Sequence, residues 1–300
     1  MRFPPVLSAA ARRGVNALGT KLYPLVIRAY QAWAKRNMAV PEPSRDNRVF
    51  PVTVTAVETV APRLKRLTLH ADQFTEITTR YDEYFGLLIP PAGRRLVLPE
   101  ATDTNIRAAL AAIDEADRPD MRIYTVRSHD REAGEITVDM VTHGHSGPGS
   151  SFALDAKPGD VVGYRSRGVS YLPNPGPQLL VADPTALPAV HAIVEQLDDT
   201  TRAATTVVAV IDDHDCVEKI LPQLQSSLAG LVIIDADEQT ANDKLTQWLI
   251  GNVTDDLTFA WICAEQSLAA TGRRTLVKQL GVEKTNIMFC GYWKRGKARA

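Results

Sequence analysis

The sequence predicts two domains in series, a six-stranded antiparallel β-barrel over residues 46–175 and a parallel-sheet α/β domain over residues 176–300, behind a helical N-terminal extension over residues 1–45. Three observations predict it. The chain has 300 residues, more than one core usually organises. After residue 47 come short, alternating, β-branched strands punctuated by Pro, Gly and Asp. After "NPGPQ" the strands become continuously apolar and alternate with helical stretches, the mark of a parallel sheet covered on both faces.

The extension is basic. Arg2, Arg12, Arg13, Lys21, Arg28, Lys35 and Arg36 all precede the first acid, Glu42. Val15, Leu18, Leu22, Leu25, Ala29 and Trp33 recur at three- and four-residue steps, which places them on one helical face, and Pro24 kinks it. Such a helix either makes peripheral contact with an anionic membrane surface, clasps a partner, or packs on its own protein. Residues 1–40 are expected to be dispensable for turnover. "PEPSRDN" reads as a linker.

The barrel strands are "RVFPVTVTAVETV", "LKRLTLHA", "YFGLLIP", "MRIYTVRS", "GEITVDMVTH" and "DVVGYRSR". Between the third and fourth lies a helical insertion, "TDTNIRAALAAIDEADRPD", with Thr102 or Asp103 as N-cap and Pro119 past its end. The parallel strands are "LLVAD", "TTVVAVID", "LVIID", "LTFAWICAE" and "NIMFCGYW", with helices near 186–198, 217–228, 241–250 and 266–280. Ligands of parallel sheets sit beyond the carboxyl ends of the strands, which directs attention to "VADPTALPA", "ICAEQ" and "CGYWKRG".

Composition excludes several classes. With the extension set aside the chain is acidic, which argues against nucleic acid as a partner. No apolar run reaches the length of a membrane span and no secretory signal is evident, so we expect a cytoplasmic chain. Cys216, Cys263 and Cys290 lack zinc spacing and cannot supply four cluster thiolates. They read as buried structural thiols, and no metal ligand set is expected.

Two stretches carry chemistry. "MRIYTVRS" supplies what a flavin needs: guanidiniums for a pyrophosphate (Arg122, Arg127), a ring to stack (Tyr124) and a hydroxyl (Thr125). Alternation sends Arg122 and Tyr124 to one face and Thr125 and Arg127 to the other unless the strand bends, so the pattern fits either a cofactor strand or an ordinary edge strand. In "HGHSGPGSSFA", Gly147, Pro148, Gly149, Ser150 and Ser151 make a turn that either opens a phosphate-binding helix or is a plain loop. His143 and His145 have no metal spacing.

"RIYTVR", "VTHGHSGPGSSFA" with "KPGDVV", "ADPTALPAV", "WICAEQ" and "GYWKRG" stand in the order and spacing of the siderophore-interacting protein family, FAD-dependent ferric-siderophore reductases related to the ferredoxin reductases, which the chain resembles over about residues 48–297. The resemblance implies an FAD-binding barrel and an NADH- or NADPH-binding α/β domain. It implies that Tyr124 packs on the flavin ring, Thr125 bonds near N5, and Arg122 or Arg127 meets the pyrophosphate. His143 and Gly147 to Ser151 would hold the rest of FAD. Asp183, Thr185, Ala186, Leu187 and Pro188 would line the nicotinamide side, with Glu265, Tyr292 and Trp293 facing both cofactors. Ala264 stands where the family has glycine, "SSFA" where it has Ser-Arg-Trp-Ala, and Lys294 where it has arginine, which keeps the charge but loses the planar fork.

The implied activity is FAD-dependent reduction of ferric siderophores by NAD(P)H, the flavin accepting a hydride and passing electrons singly to Fe(III). Iron is then substrate. An anionic chelate favours cations at the flavin's open edge, and Arg165, Arg167, Lys294, Arg295 and Lys297 are candidates unless they form only a solvated surface. Asp212, Asp213 and Asp215 after the second parallel strand tilt the donor towards NADH, or are a plain acidic loop. The rivals are a ferredoxin-coupled or general flavin reductase, and a non-catalytic flavoprotein that binds ferric chelates.

Overall fold

The computed structural model describes residues 32–44, 47–99, 106–145, 147–228 and 230–296. The leader up to residue 31, the N-cap candidates Thr102 and Asp103, and Lys297 lie outside the described residues.

The first sheet contains β1 (Glu42–Pro43), β2 (Val49–Ala61), β3 (Leu64–His70), β4 (Tyr84–Ile89), β5 (Asp120–Thr125), β6 (Ser128–Asp130), β7 (Glu135–Val141) and β8 (Val161–Val169). Their order is β5-β4-β8-β2-β3-β7-β6, with β1 also on β8, and every pair is antiparallel. The strands form because apolar residues alternate. Phe50, Val52 and Val54 on β2, and Ile136, Val138 and Met140 on β7, all turn inward. The interior is finished by aromatic rings: Tyr164 stacks on Phe50 at 4.9 Å and on Phe85 at 4.8 Å, with Phe74 edge-on at 5.1 Å. Each such side chain contributes about 1.5–3 kcal/mol of burial.

The sheet has eight strands rather than the expected six. All six predicted segments are strands. The additions are the two-residue β1 and the three-residue β6, which is the end of the predicted "MRIYTVRS" strand cut off by a bend at Val126 and Arg127. There the backbone changes partner: Val126 N–H donates to Glu83 O at 2.8 Å and Arg127 N–H to Thr137 O at 2.8 Å. Since β5 and β6 are opposite ends of the strand order and only two residues part them, the sheet curls until its edges meet at this bend.

The predicted insertion contains one short helix, α2 (Ile106–Ala112), and the turn at 147 opens α3 (Pro148–Asp155). The second sheet holds β9 (Gln178–Ala182), β10 (Thr205–Ile211), β11 (Leu231–Asp235), β12 (Phe259–Glu265) and β13 (Ile287–Trp293), all parallel, in the order β11-β10-β9-β12-β13. Helices α4 (Leu187–Gln196) and α6 (Ile220–Ser227) cover one face, and α7 (Ala241–Asn252) and α8 (Gln266–Lys278) the other; α5 (Asp199–Ala203) is a short addition. The chain runs outward from β9 to β11, then returns to β12 beside β9. The two directions part between the carboxyl ends of β9 and β12, where such sheets bind ligands.

Residues 32–37 are helical (α1), and the segment from there to β1 spans both domains. Ala34, Met38 and Ala39 are buried in the second domain's core, Ala39 N–H donates to Ile287 O at 2.9 Å, and Arg273 donates to Asn37 O at 2.8 Å. Glu42 and Pro43 then pair with Val169 and Gly168 of β8. Gly168 has φ of +154° and a Cβ there would fall on the Glu42 carbonyl, so glycine is required for the strand to approach. The described end of residues 1–40 is thus part of the second domain's core, so a truncation there is expected to cost stability.

Candidate functional site

Five chain ends converge where the two sheets meet: the end of β5, the start of α3, and the carboxyl ends of β9, β12 and β13. On the barrel side, Tyr124 lies across the first turn of α3. A Cβ at Gly149 would fall on the Tyr124 hydroxyl, and it would lie 3.5 Å from Arg122 Cγ. Glycine is thus what lets ring, helix start and guanidinium share one spot. Burial raises the Tyr124 pKa against the lowering effect of the Arg122 charge, so the phenol stays protonated. Among the described residues no side chain caps α3, and Pro148 has no N–H, which leaves the amides of Gly149 and Ser150 directed at any anion there.

The turn uses its serines internally. Ser150 Oγ donates to Gly144 O at 2.5 Å and accepts from His143 N–H at 3.0 Å, and Ser151 N–H closes the first helical bond to Gly147 at 2.9 Å. His143 itself is exposed. Arg122, Tyr124 and Gly147 to Ser151 are therefore brought together, with Ser150 shaping the loop.

Arg127 is not with them. The bend turns it to the second domain, where it makes a bidentate pair with Glu195 of α4 at 2.7 and 2.8 Å and donates to His191 Nδ1 at 2.9 Å. That ion pair joins the two domains. Burial, then the Arg127 charge, holds the His191 pKa below its ordinary 6.5. Its folded pKa lies below the unfolded value, so the unfolded chain binds more protons in that window. This stability is complete above pH 6.5 and is lost as pH falls towards the folded pKa. We expect the urea midpoint to drop between pH 7 and pH 5, with His191→Gln flattening that slope; equal slopes in the two proteins would remove His191 from the effect.

On the sheet side, buried Asp183 ties three strand ends together. One carboxylate oxygen accepts from Thr185 N–H at 2.9 Å and Thr185 Oγ1 at 2.6 Å; the other accepts from Glu265 N–H at 2.7 Å and Trp293 Nε1 at 2.8 Å. Burial raises its pKa, and these bonds oppose the rise. Ala186 is fully buried at the start of α4. Glu265 caps α8, accepting from the Ser267 hydroxyl at 2.5 Å and its N–H at 2.5 Å. Burial works to raise its pKa, but the Ser267 bonds prevail and the carboxyl lies below its ordinary value. The two sides meet at Tyr292, whose pKa burial raises while the Thr125 side chain of the barrel opposes the rise.

A solvent-open hollow lies beside Asp183, lined also by Asp212, Asp237, Glu238, Asn242, Glu265, Trp293 and Arg295. Of the acidic trio after β10, only Asp212 reaches it. Asp213 pairs with Arg63 of the barrel, and the Asp215 carbonyl accepts from Arg63 N–H at 3.1 Å. Asp237 and Glu238 went unnoticed in the sequence, although two acids just past the third apolar strand were a usable signal.

The described candidates for substrate cations lie in different settings. Arg165 is buried in the barrel wall, because its register on β8 places it between Val49 and Gly86. Arg295 belongs to the hollow, lying over Trp293 at 5.3 Å and paired with Asp212 at 3.3 Å and Glu238 at 3.1 Å. Arg167 is half-buried and Lys294 exposed.

Sequence reasoning also missed the contact beneath the site. Fully buried Asp82 accepts from the N–H groups of Ser170 at 3.0 Å and Tyr171 at 2.8 Å, from Trp261 Nε1 at 3.0 Å, and from the Ser170 hydroxyl. It joins barrel, connecting segment and second sheet, and nothing in "RYDEYF" marks it.

An antiparallel sheet closed on itself, leading into a five-stranded parallel sheet whose ligand end faces it, is the ferredoxin-reductase-like two-domain fold. A ferredoxin NADP+ reductase from Neisseria gonorrhoeae shares it at 14% identity, with a TM-score of 0.58, over 83% of this chain and 100% of that one. Residues 53–168 match the model of the siderophore-interacting FAD-binding domain and residues 176–296 that of the siderophore-interacting protein, so the chain belongs to the siderophore-interacting protein family. The structure of the siderophore-interacting protein SipS from Aeromonas hydrophila is similar at 27% identity and a TM-score of 0.68, over 84% of this chain and 94% of that one. The ferric vibriobactin reductase ViuB of Vibrio cholerae is 26% identical over 187 residues, 60% of this chain and 66% of its own. FAD is therefore the cofactor of the first domain, and the open α3 turn beside Arg122 and Tyr124 suits it. Among the described residues no group of three or more His, Cys, Asp or Glu is placed to hold a metal, and no helix is long and apolar enough to cross a membrane.

Proposed function

We propose that the protein is a cytoplasmic, NAD(P)H-dependent flavoprotein that reduces ferric siderophores. The observation that carries this reading is the junction of Thr125 with Tyr292 beside Asp183, which sets the FAD strand of one domain against the ligand end of the other. Arg122 and the α3 amides would hold the pyrophosphate, Tyr124 would pack on the ring, and Thr125 would lie near its reactive edge. Asp183 is a positioning residue: by holding the Glu265 backbone and the Trp293 indole it fixes the floor on which a nicotinamide would rest.

Bound FAD supplies the conversion of a two-electron donor into one-electron steps, which a hydride donor cannot make directly with Fe(III). Iron is substrate. Hard oxygen donors hold Fe(III) far better than Fe(II), so reduction frees the metal. Arg167 and Lys294 are the candidates to attract an anionic chelate. The name of ViuB supports the same substrate class.

Under anaerobic conditions, the FAD-loaded protein with NADH or NADPH and a ferric siderophore is expected to accumulate Fe(II), trapped by a coloured chelator. Failure of the chemically reduced flavoprotein to reduce the chelate would overturn the reading.

A further inference from the structure

We infer that the hollow beside Asp183 selects a nicotinamide donor whose adenosine ribose carries free 2′- and 3′-hydroxyls, and rejects a 2′-phosphate. The inference rests on the donor reading above and specifies its substrate.

The hollow lies at the ligand end of the parallel sheet, and its charges come from three strand ends: Asp212 after β10, Asp237 and Glu238 after β11, and Asp183 and Glu265 at β9 and β12. Among the described residues that line it are five carboxylates and one guanidinium, that of Arg295. Arg295 would be the natural partner of a 2′-phosphate, but it is already paired with Asp212 and Glu238 and lies over the Trp293 ring. Its charge is therefore neutralised within the hollow. Asp237 remains ionised, because the Thr240 hydroxyl and amide donate to it at 2.7 and 2.8 Å and hold its carboxyl below the ordinary 3.8.

A second observation concerns hydrogen-bonding capacity rather than charge. Asn242, at the start of α7, presents a buried side-chain oxygen that has no hydrogen-bond partner among the described residues. It lines the same hollow. An acceptor left without a donor is costly, and a ribose hydroxyl supplies one whereas a phosphate dianion does not. Acceptor-rich walls and an occupied arginine thus favour a diol.

The test is equilibrium binding of ADP-ribose and of 2′-phospho-ADP-ribose to the FAD-loaded protein by calorimetry, alongside the ratio of kcat/KM for NADH and NADPH. We expect the wild type to bind ADP-ribose at least about tenfold more tightly. The double variant Asp212→Asn/Glu238→Gln removes two charges with little change of shape and releases Arg295, so it should erase or reverse that preference. Equal or tighter binding of the phosphorylated ligand by the wild type, or an unaltered ratio in a double variant that retains FAD, overturns the inference alone. If neither ligand binds, the nicotinamide-donor reading fails and takes the inference with it.

Discussion

Replacing Asp82 by alanine is expected to lower the unfolding free energy by about 3–4 kcal/mol, the largest loss from any single side chain considered. The carboxylate gathers four donors at a place closed to solvent: two backbone amides, a hydroxyl and the Trp261 indole, contributed by the segment that joins the domains and by a central strand of the second sheet. Burial raises its pKa above the ordinary 3.8. A raised folded pKa means that its protonation-linked contribution is fully present below pH 3.8 and is lost as pH rises through the folded value, so the ionised group is itself costly. Deleting it costs more, because the donors are then buried without an acceptor. Asp82→Asn retains one acceptor oxygen and removes the charge, so its loss should be smaller than that of alanine. Urea titration at pH 7 of the three proteins decides the matter; a loss below about 1 kcal/mol for alanine would mean that water fills the space and satisfies the donors.

Gly149→Ala is expected to weaken FAD binding by at least about tenfold while leaving the fold intact. Alanine is the better helix former, so α3 itself should not suffer. What suffers is the ring: a methyl group there collides with the Tyr124 hydroxyl and drives it off the helix start. Tyr124→Phe removes the atom that is struck. The double variant Tyr124→Phe/Gly149→Ala should therefore bind FAD more tightly than Gly149→Ala alone, a coupling that a general loosening of the domain would not produce. Flavin fluorescence during reconstitution of the apoprotein gives the constants. Unchanged affinity in Gly149→Ala would separate Tyr124 from the flavin.

The periodicities carried the architecture because each is a direct imprint of burial. Phe50, Val52 and Val54 alternate since one face of β2 is wet, and "FAWICA" does not alternate since both faces of β12 are covered. The bend at Val126 and Arg127 was not legible. It depends on the strand changing partner from β4 to β7, a long-range event that leaves no local mark, and it brings Arg127 to Glu195. The site divides in the same way. Gly149 and Asp183 stand where turn chemistry and strand ends predict function. Arg165 and Arg295 looked alike as surface cations and are separated only by register and by tertiary partners. The strap formed by residues 32–43 was legible only as one of three placements open to an amphipathic segment, and it is the tertiary contacts of Ala34, Met38 and Ala39 that put its described part in the core.

That strap limits how freely the two halves can be exchanged. A chimera that joins this barrel to a foreign nucleotide domain at residue 176 would keep α1 without the β13 carbonyl and Arg273 side chain that receive it. The reciprocal chimera would leave the second sheet with an apolar gap where Met38 and Ala39 belong. Recombination between relatives should therefore succeed only when the N-terminal segment travels with the C-terminal half, although the barrel separates them in the gene.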